Sequence, residues 1–549
     1  MQRNLSTFQS ARYDILVIGG GIYGACIARD AALRGLHVAL LECGDFGNAT
    51  SHNSLKLIHG GLRYLQHLDF VRVRQSVRER RIWLGMAPHL VHPLKCVIPT
   101  IGHGTRGPEA LWCGLKLYEV LSFDRNRGMP SERWIPKGGV LSRKQLLELI
   151  PGLDADDISG GAFWYDAQAI DTDRLLIEVV QGAVDAGAEV ANYLAVNDFL
   201  HDNGRVSGVR ATDKLLGEEL EIHARMTINA AGPWISKLVS KALNGRKSAY
   251  TSGLTRGMNL VTRSLDADYA FGVPSARTSD AVLGSSKRLF FITPLDGCTM
   301  IGTSHLPYSG NPDDCTYTEN DAQAFLQEIN AAYPSAHLTM NDVRYWYGGL
   351  TPAEEDSGQG EVKRSRQSEL FDHARQDGLD GLISVNGVKY TTARLSAEKA
   401  VDLAIRKLGR QPLTCLSGVT PLPGARNAPA TGYQQKGHAS RDLQLYGCNA
   451  DRIQALMEPG SAPDHEAVFK ARCRYAIDQE MAVRLQDVVL RRTSLAQQGK
   501  FTEGMLDWCA TTMAQQLQWS DDRKQRELED TREQLQRHGA RLQPEAGEG

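Results

Sequence analysis

Residues 13–42 read YDILVIGGGIYGACIARDAALRGLHVALLE, and the folding of this stretch decides the architecture. Tyr13–Ile18 is branched and apolar with little alternation, as expected of a strand buried on both faces. It runs into Gly19-Gly20-Gly21-Ile22-Tyr23-Gly24, after which Ala25, Ala28, Ala31 and Ala32 open a helix. Arg34-Gly35 closes that helix with a cation in the last turn and a glycine after it. HVALLE follows as a second buried strand and ends on Glu42. A strand, glycine loop, helix and strand within about 30 residues, with an acid about 20 residues beyond the glycines, is the pattern that binds an adenosine dinucleotide. Gly19 permits the tight turn, Gly21 lets the backbone approach a pyrophosphate at the helix N-terminus, and Gly24 lets helix and sheet pack closely. Glu42 is placed to accept hydrogen bonds from a ribose diol.

Outward from this unit, the chain has 549 residues, enough for several domains, with 42% apolar and 23% charged residues. A formal charge of −2 argues against a nucleic-acid-binding surface, which shows as a basic excess. The ten cysteines are scattered from Cys26 to Cys509 without a CxxC pair or zinc-ligand spacing, so reduced thiols and no metal site are expected. The ILVI run before the glycines is too short for a signal peptide. No window approaches the roughly 20 apolar residues of a spanning helix. A cytoplasmic chain is expected, with a position at the inner face of the membrane left open.

Downstream, Gly44–Ser54 is a polar loop leading into SHNSLKLIHGGLRYL (51–65), which fits neither a core strand nor a simple amphipathic helix. MTINAAG (226–232), followed by Pro233-Trp234, is a buried strand ending in small residues. GLISVNGVKYTTARLSAEKAV (381–401) is a strand, a glycine-containing turn and a helix beginning near Thr391. Three distant segments thus converge on one long cofactor, which suits FAD better than NAD.

The motifs IGGGIYGACIARDAALRGLHVALLE, KLIHGGLRYL, NAAGPW, the turn through Gly387 and Lys389 to Thr391-Thr392, and VRLQDVVLRRT resemble those of the FAD-dependent glycerol-3-phosphate dehydrogenases, within the D-amino-acid-oxidase-like flavoprotein superfamily. The resemblance runs from about Tyr13 to Thr493. It implies that Thr50, Ser51, Ser54, Lys56, His59, Gly60 and Gly61 line the cofactor, together with Ala231, Gly232, Gly387, Lys389 and Thr391. It further implies that Arg63, Tyr64 and Lys389 face the substrate, Arg63 offering a planar fork to an anionic group. The resemblance breaks at four positions. Asn259 stands where the family has a histidine, Thr351 where it has an arginine, Leu55 where it has a hydroxyl residue, and His305 where it has an acid. Arg256 is the candidate to replace the lost cation, with Arg344 also close by in sequence.

The expected fold is an α/β FAD-binding Rossmann-like domain interleaved with an antiparallel-sheet substrate domain, plus a C-terminal helical domain. The oxidoreductase region is 13–412, with FAD-binding parts 13–100, 160–245 and 370–412 and a substrate domain 246–369. A linker is expected at 413–440, a helical domain at 441–520, and at 521–549 a charged tail, a solvated helix fading to disorder. The basic run Arg72, Arg74, Arg78, Arg80, Arg81 reads as a solvated helix face. The expected activity is oxidation of a secondary alcohol of a small anionic polyol, glycerol 3-phosphate or a related compound, by hydride transfer to flavin N5, with electrons passed to a quinone or another acceptor. An FAD-dependent oxidase or dehydrogenase of another hydroxy compound or amine, and a non-catalytic flavin-binding protein, are the alternatives. Peripheral membrane contact and a homodimer are left open.

Overall fold

The computed structural model describes residues 1–104, 107–153, 157–279, 286–353, 368–426, 438–458, 460 and 464–543, with side chains at 276–279, 286–288 and 438–440 left aside. The glycine-loop unit forms as read. Its first strand, Arg12–Ile18, is the centre of a sheet ordered Glu369–Asp372, Leu382–Asn386, Glu219–Asn229, Arg12–Ile18, Val38–Leu41, Glu189–Ala191. Every pairing along that row is parallel except that of Glu369–Asp372 with Leu382–Asn386. A hairpin, Leu194–Asp202 and Arg205–Asp213, adds to the edge of Glu219–Asn229. Helix Ile22–Leu33 is buried along most of its length because it lies against the helices Thr172–Asp185 and Ala393–Lys407 as well as the sheet. Its run of alanines is what such close packing on several sides requires.

The second sheet is ordered Val343–Ala353, Gly253–Arg263, Cys298–Tyr308, Ser286–Leu295, Ala270–Ser279, Val91–Ile101, Ile158–Ala169, Leu57–Ile58, with Gly139–Ser142 also on Ile158–Ala169. It is antiparallel except between Ala270–Ser279 and Val91–Ile101. Two assignments change here. Val91–Ile101 and Ile158–Ala169, expected within the FAD-binding part, pair with each other along their length, from Val91↔Ala169 to Ile101↔Ile158, inside this second sheet. Leu57–Ile58, within the 51–65 stretch, forms its edge by pairing with Gln168 and Ala167. The stretch read as cofactor-lining therefore bridges the two sheets.

Three further expectations are corrected. The first part of the 413–440 segment is packed rather than a free linker. Leu422, Pro423, Gly424 and Ala425 are buried, and the Arg29 guanidinium donates to the carbonyls of Ser417 and Thr420; residues 427–437 lie outside the described residues. The charged tail forms a helix as expected, Asp521–Arg537, but not a solvated one: it buries Glu527, Leu528, Thr531 and Leu535 against helix Glu503–Leu517 and its neighbours, while residues 544–549 lie outside the described residues. Leu528, Thr531 and Leu535 fall on one helical face, a sparse stripe that the surrounding charges conceal. The basic run is not a solvated face. Arg80 is 1% exposed and paired with Asp166, Arg74 and Arg81 share Asp124, Arg72 pairs with Asp69, and Arg78 remains exposed.

The C-terminal domain is joined to the cofactor domain through buried charge. Arg491 and Arg492 of the VRLQDVVLRRT segment reach Asp45, three residues beyond Glu42, at 2.6 and 2.8 Å, and Arg491 also holds Asp487 at 2.9 Å. Burial pushes the Asp45 carboxyl up, but the two guanidiniums win and hold it down at about 2. Burial and the Asp45 charge push Asp487 up to about 6. The double arginine is thus a weld between domains, since a buried carboxylate persists only when paired.

Candidate active site

The parallel register places Ile18, Asn229 and Ser384 in adjacent rows, so the three segments that follow these strands emerge side by side. This is where an open α/β sheet binds its ligand, beyond the carboxyl ends of the strands. Gly19 has φ +102°, and a Cβ there would lie 2.7 Å from the Ala230 carbonyl oxygen. A Cβ on Gly24 would strike the Gly19 carbonyl, and one on Gly21 would come within 3.1 Å of Ser51 Oγ. The Glu42 carboxylate accepts from the Gly20 and Gly44 N–H groups at 2.6 and 2.8 Å, tightening the loop from inside. Burial raises the Glu42 carboxyl above its ordinary range, against those two donors.

The stretch 50–61 is held from many directions. Thr50 Oγ1 donates to the Leu350 carbonyl, and Ser51 Oγ accepts the Ile22 N–H at the start of the helix. Lys56, buried at φ +60°, donates to Thr172 Oγ1 and lies 5.0 Å from the Tyr347 ring centroid. The His59 N–H donates to Thr391 Oγ1, and the Trp83 indole donates to the Thr391 carbonyl, so segments 332 positions apart meet. Gly60 N–H is taken by Asp166, which also receives Arg80 at 2.7 Å and the Trp164 indole at 2.8 Å. A Cβ on Gly60 would overlap Tyr118 Oη and the Arg80 guanidinium, and Gly61 sits at φ +80°.

Within this frame His59, Tyr64 and Lys389 are brought together. The Lys389 ammonium is 4.3 Å from the Tyr64 ring centroid, Arg72 lies 5.0 Å from the same ring, and the His59 and Tyr64 ring centroids are 5.9 Å apart. Burial, followed by the Lys389 charge, pushes the His59 imidazole down to about 4. Arg63 is exposed in the short turn Leu62–His67 and makes no ion pair with the described residues. Arg256 is not in this group: its guanidinium is held by Asp321 at 3.0 Å, donates to the Thr316 carbonyl and stacks 4.6 Å from Tyr317. Asn259 is also engaged, donating to the Asn53 carbonyl and accepting from Thr303. Ala231 and Gly232 open the turn after Glu219–Asn229, where the Ala231 N–H is taken by Asn229 Oδ1.

Sequence reading missed Asp166 and Arg80, which fix Gly60, and Tyr23, whose hydroxyl accepts the Val388 and Lys389 N–H groups and donates to the Lys389 carbonyl. A Cβ on Gly387 would lie 2.4 Å from the Tyr23 ring, so the glycine of that turn answers to the tyrosine of the first glycine loop. The only sequence sign was the tyrosine inside GGGIYG. It also missed His52, buried between Asp173 and Tyr345.

The residues fit FAD. The glycine cradle is open to a backbone-close phosphate, and Ser54 Oγ, His59 Nδ1, Tyr347 Oη and Thr351 Oγ1 are buried with no hydrogen-bond partner among the described residues. Buried polar atoms without partners mark a place where a polar ligand belongs.

Known proteins agree with this architecture. The model of the FAD dependent oxidoreductase family matches residues 14–403, and that of the C-terminal domain of alpha-glycerophosphate oxidase matches residues 415–524. A glycerol-3-phosphate dehydrogenase of Synechocystis sp. is 36% identical over 521 residues, covering 90% of this chain and 91% of the relative. The aerobic glycerol-3-phosphate dehydrogenase of Bacillus subtilis is 29% identical over 554 residues, covering 96% and 95%. The solved structure of the glycerol-3-phosphate dehydrogenase from Bacillus halodurans complexed with FAD superposes with a TM-score of 0.76 over 98% of both chains at 26% identity.

Proposed function

Because the chain belongs to the FAD-dependent glycerol-3-phosphate dehydrogenase family of the FAD-dependent oxidoreductases, we propose that it oxidises the secondary alcohol of a small anionic polyol, glycerol 3-phosphate or a close relative. FAD, held by the glycine loop, the 50–61 stretch and the Gly387–Thr391 turn, supplies the hydride acceptor when bound. The observation that carries the reading is the grouping of His59, Tyr64 and Lys389 beside an uncommitted Arg63. With its imidazole pushed down to about 4, His59 is neutral near pH 7 and can take the hydroxyl proton through Nδ1, which has no partner among the described residues. An anionic substrate offsets the Lys389 charge and so raises the basicity of His59 as it binds. Arg63 holds the anionic group with charge-assisted hydrogen bonds, and Lys389 polarises the reacting oxygen. Asn259 cannot act as a base, and its amide is already satisfied on both sides.

With Thr351 in place of arginine and Arg256 held by Asp321, the anion site rests on Arg63 and Lys389. A phosphate dianion prefers more donors than that. Other small hydroxy acids therefore compete well with glycerol 3-phosphate. The test is steady-state turnover of such a panel with an artificial electron acceptor. If wild type already handles glycerol 3-phosphate with kcat/KM on the order of 10⁴ M⁻¹s⁻¹ or above, and Thr351→Arg with Asn259→His brings no gain, altered preference is wrong.

The acceptor is proposed to be a quinone reached at a lipid surface. Leu68, Phe70 and Val71, at the start of helix Phe70–Met86, and Leu117, Val120 and Phe123, at the end of helix Pro108–Leu121, are exposed, and the two ends are joined through Arg74, whose guanidinium lies 5.1 Å from the Phe123 ring centroid. Exposed Arg63, Arg78 and Lys116 accompany them. Apolar tips among cations suit an anionic bilayer, and no helix among the described residues is long and apolar enough to cross one. Co-flotation with anionic but not neutral vesicles supports this reading. Stoichiometric hydrogen peroxide under substrate assigns oxygen as acceptor instead, and self-association through the same face appears as a dimer in sedimentation.

A further inference from the structure

The C-terminal segment does more than cover a core. Beyond helix Asp521–Arg537, the chain lies on strand Val343–Ala353. The Trp346 N–H donates to the His538 carbonyl at 2.9 Å, the Trp346 indole to the Arg537 carbonyl at 2.8 Å, and the His538 ring to the Trp346 carbonyl at 2.9 Å. Gly539, at φ +66°, lets the backbone press on the Trp346 ring, where a Cβ would come within 1.9 Å. Docked in this way, the His538 ring stacks on Tyr345 with centroids 4.8 Å apart and planes within 5°. Tyr345 Oη is 3.1 Å from His52 Nε2, and His52 Nδ1 is 3.0 Å from both carboxylate oxygens of Asp173. His52, Tyr345 and Asp173 are buried.

His538 faces a carbonyl through Nδ1, so that nitrogen carries the hydrogen; burial, then His52, pushes its imidazole down to about 4, so it stays neutral. Burial raises the Tyr345 phenol well above its ordinary value, so it keeps its hydrogen, and its hydroxyl shares one hydrogen bond with His52 Nε2. His52 then donates from Nδ1 to Asp173. Four residues further on, Lys56 is tied to Thr172, next to Asp173, so both ends of residues 52–56 are anchored to the start of one helix.

We infer that His52 is a positioning residue for the 50–61 stretch, held in place by Asp173 and Tyr345, and that the C-terminal segment governs it by stacking His538 on Tyr345. The inference rests on the reading that residues 50–61 line FAD. It makes cofactor retention depend on His538, whose ring meets the 50–61 stretch through Tyr345 and by an edge contact with His52, centroids 6.0 Å apart.

The test compares full-length holoenzymes of wild type, Tyr345→Phe, His538→Ala and His538→Phe. FAD release is followed by flavin fluorescence, and backbone hydrogen exchange is followed across residues 50–56. Tyr345→Phe removes only the hydroxyl, and His538→Ala the stacked ring together with its hydrogen bond to the Trp346 carbonyl. Each is expected to release FAD about tenfold faster, the worth of one buried hydrogen bond, with faster exchange confined to 50–56. His538→Phe keeps a flat ring and stays near wild type. Wild-type release and exchange in both Tyr345→Phe and His538→Ala overturn the inference. So does equally fast release in Leu326→Ala, a cavity variant in the remote helix Glu319–Ala332, at a matched loss of Tm. Faster exchange at 50–56 without faster release keeps the positioning chain and instead overturns the reading that this stretch lines FAD.

Discussion

The glycine loop at 19–24 and the stretch at 51–65 are built on opposite plans. Apart from the Ala230 carbonyl and Ser51, the loop's steric requirements come from its own unit: Gly24 against the Gly19 carbonyl, Gly20 against Phe46 and Glu42, Glu42 on the Gly20 N–H. The second stretch draws its partners from across the chain: Leu350 on Thr50, Asp173 on His52, Thr172 on Lys56, Thr391 on His59, Asp166 on Gly60. A self-contained unit fails by local steric conflict, whereas a distributed one fails when any remote partner is lost. The two should therefore break differently.

The largest effect belongs to the self-contained unit. Gly21→Val places branched carbons where the pyrophosphate approaches the backbone and within reach of Ser51. The purified protein is expected to be colourless, with no flavin released on denaturation, while its far-ultraviolet circular dichroism stays that of wild type. Normal flavin content in this variant breaks the comparison at its first term.

Next comes a remote partner of the distributed unit. Arg80→Met leaves Asp166 buried without its cation, still holding the Gly60 N–H and the Trp164 indole. Removing one member of a buried pair costs about 3–5 kcal/mol, read as a fall in the urea midpoint at unchanged m. A change below about 0.5 kcal/mol, the range of ordinary surface substitutions, returns Arg80 to the solvated face that its sequence setting suggests.

That misreading shows where legibility ends. Spacing alone identified the first unit, because Gly24 packs on the Gly19 carbonyl and Glu42 accepts the Gly20 N–H within a single strand–helix–strand segment. The resemblance supplied the residue types at 50–61, and the structure does bring His59, Tyr64, Lys389 and Thr391 together. Asp166, Tyr23, His52 and Asp173 stayed invisible, since a lone polar residue in a strand, helix or turn carries no mark of a partner more than a hundred positions away. The tail failed for a related reason: Leu528, Thr531 and Leu535 are three positions among charges, and only the neighbouring helix Glu503–Leu517 makes them a face. Val91–Ile101 went to the wrong sheet because pairing across the intervening residues 102–157 leaves no local signature.

A smaller effect is expected at Arg63, which no described residue holds. Arg63→Ala should leave flavin content and stability unchanged while lowering kcat/KM by about 1.5–3 kcal/mol, the worth of a hydrogen bond to a charged group. Full turnover on the preferred substrate would move the anion site elsewhere.

The smallest effect is a shift in the pH at which the rate fails, read apart from the rate itself. The acid limb of kcat/KM reports the proton equilibrium of the free enzyme's base. With burial and then Lys389 pushing His59 down to about 4, the wild-type limb should lie near pH 4, below the ordinary histidine range. Protonation removes the base, so activity is lost as pH falls through that value and is complete above it. Lys389→Met removes the second cause and keeps the first. Its limb should therefore shift upward, toward the ordinary value without reaching it, whatever the variant's absolute rate. His59→Asn should abolish the limb along with most of the turnover, since an amide takes no proton in this range. The profile is measured with an artificial acceptor from pH 3.5 to 8, each sample being returned to pH 7 to separate protonation from unfolding. A wild-type limb near 6.5, or one that Lys389→Met leaves in place, means that His59 and Lys389 do not share a field. The distributed stretch would then position the cofactor and take no part in moving the proton.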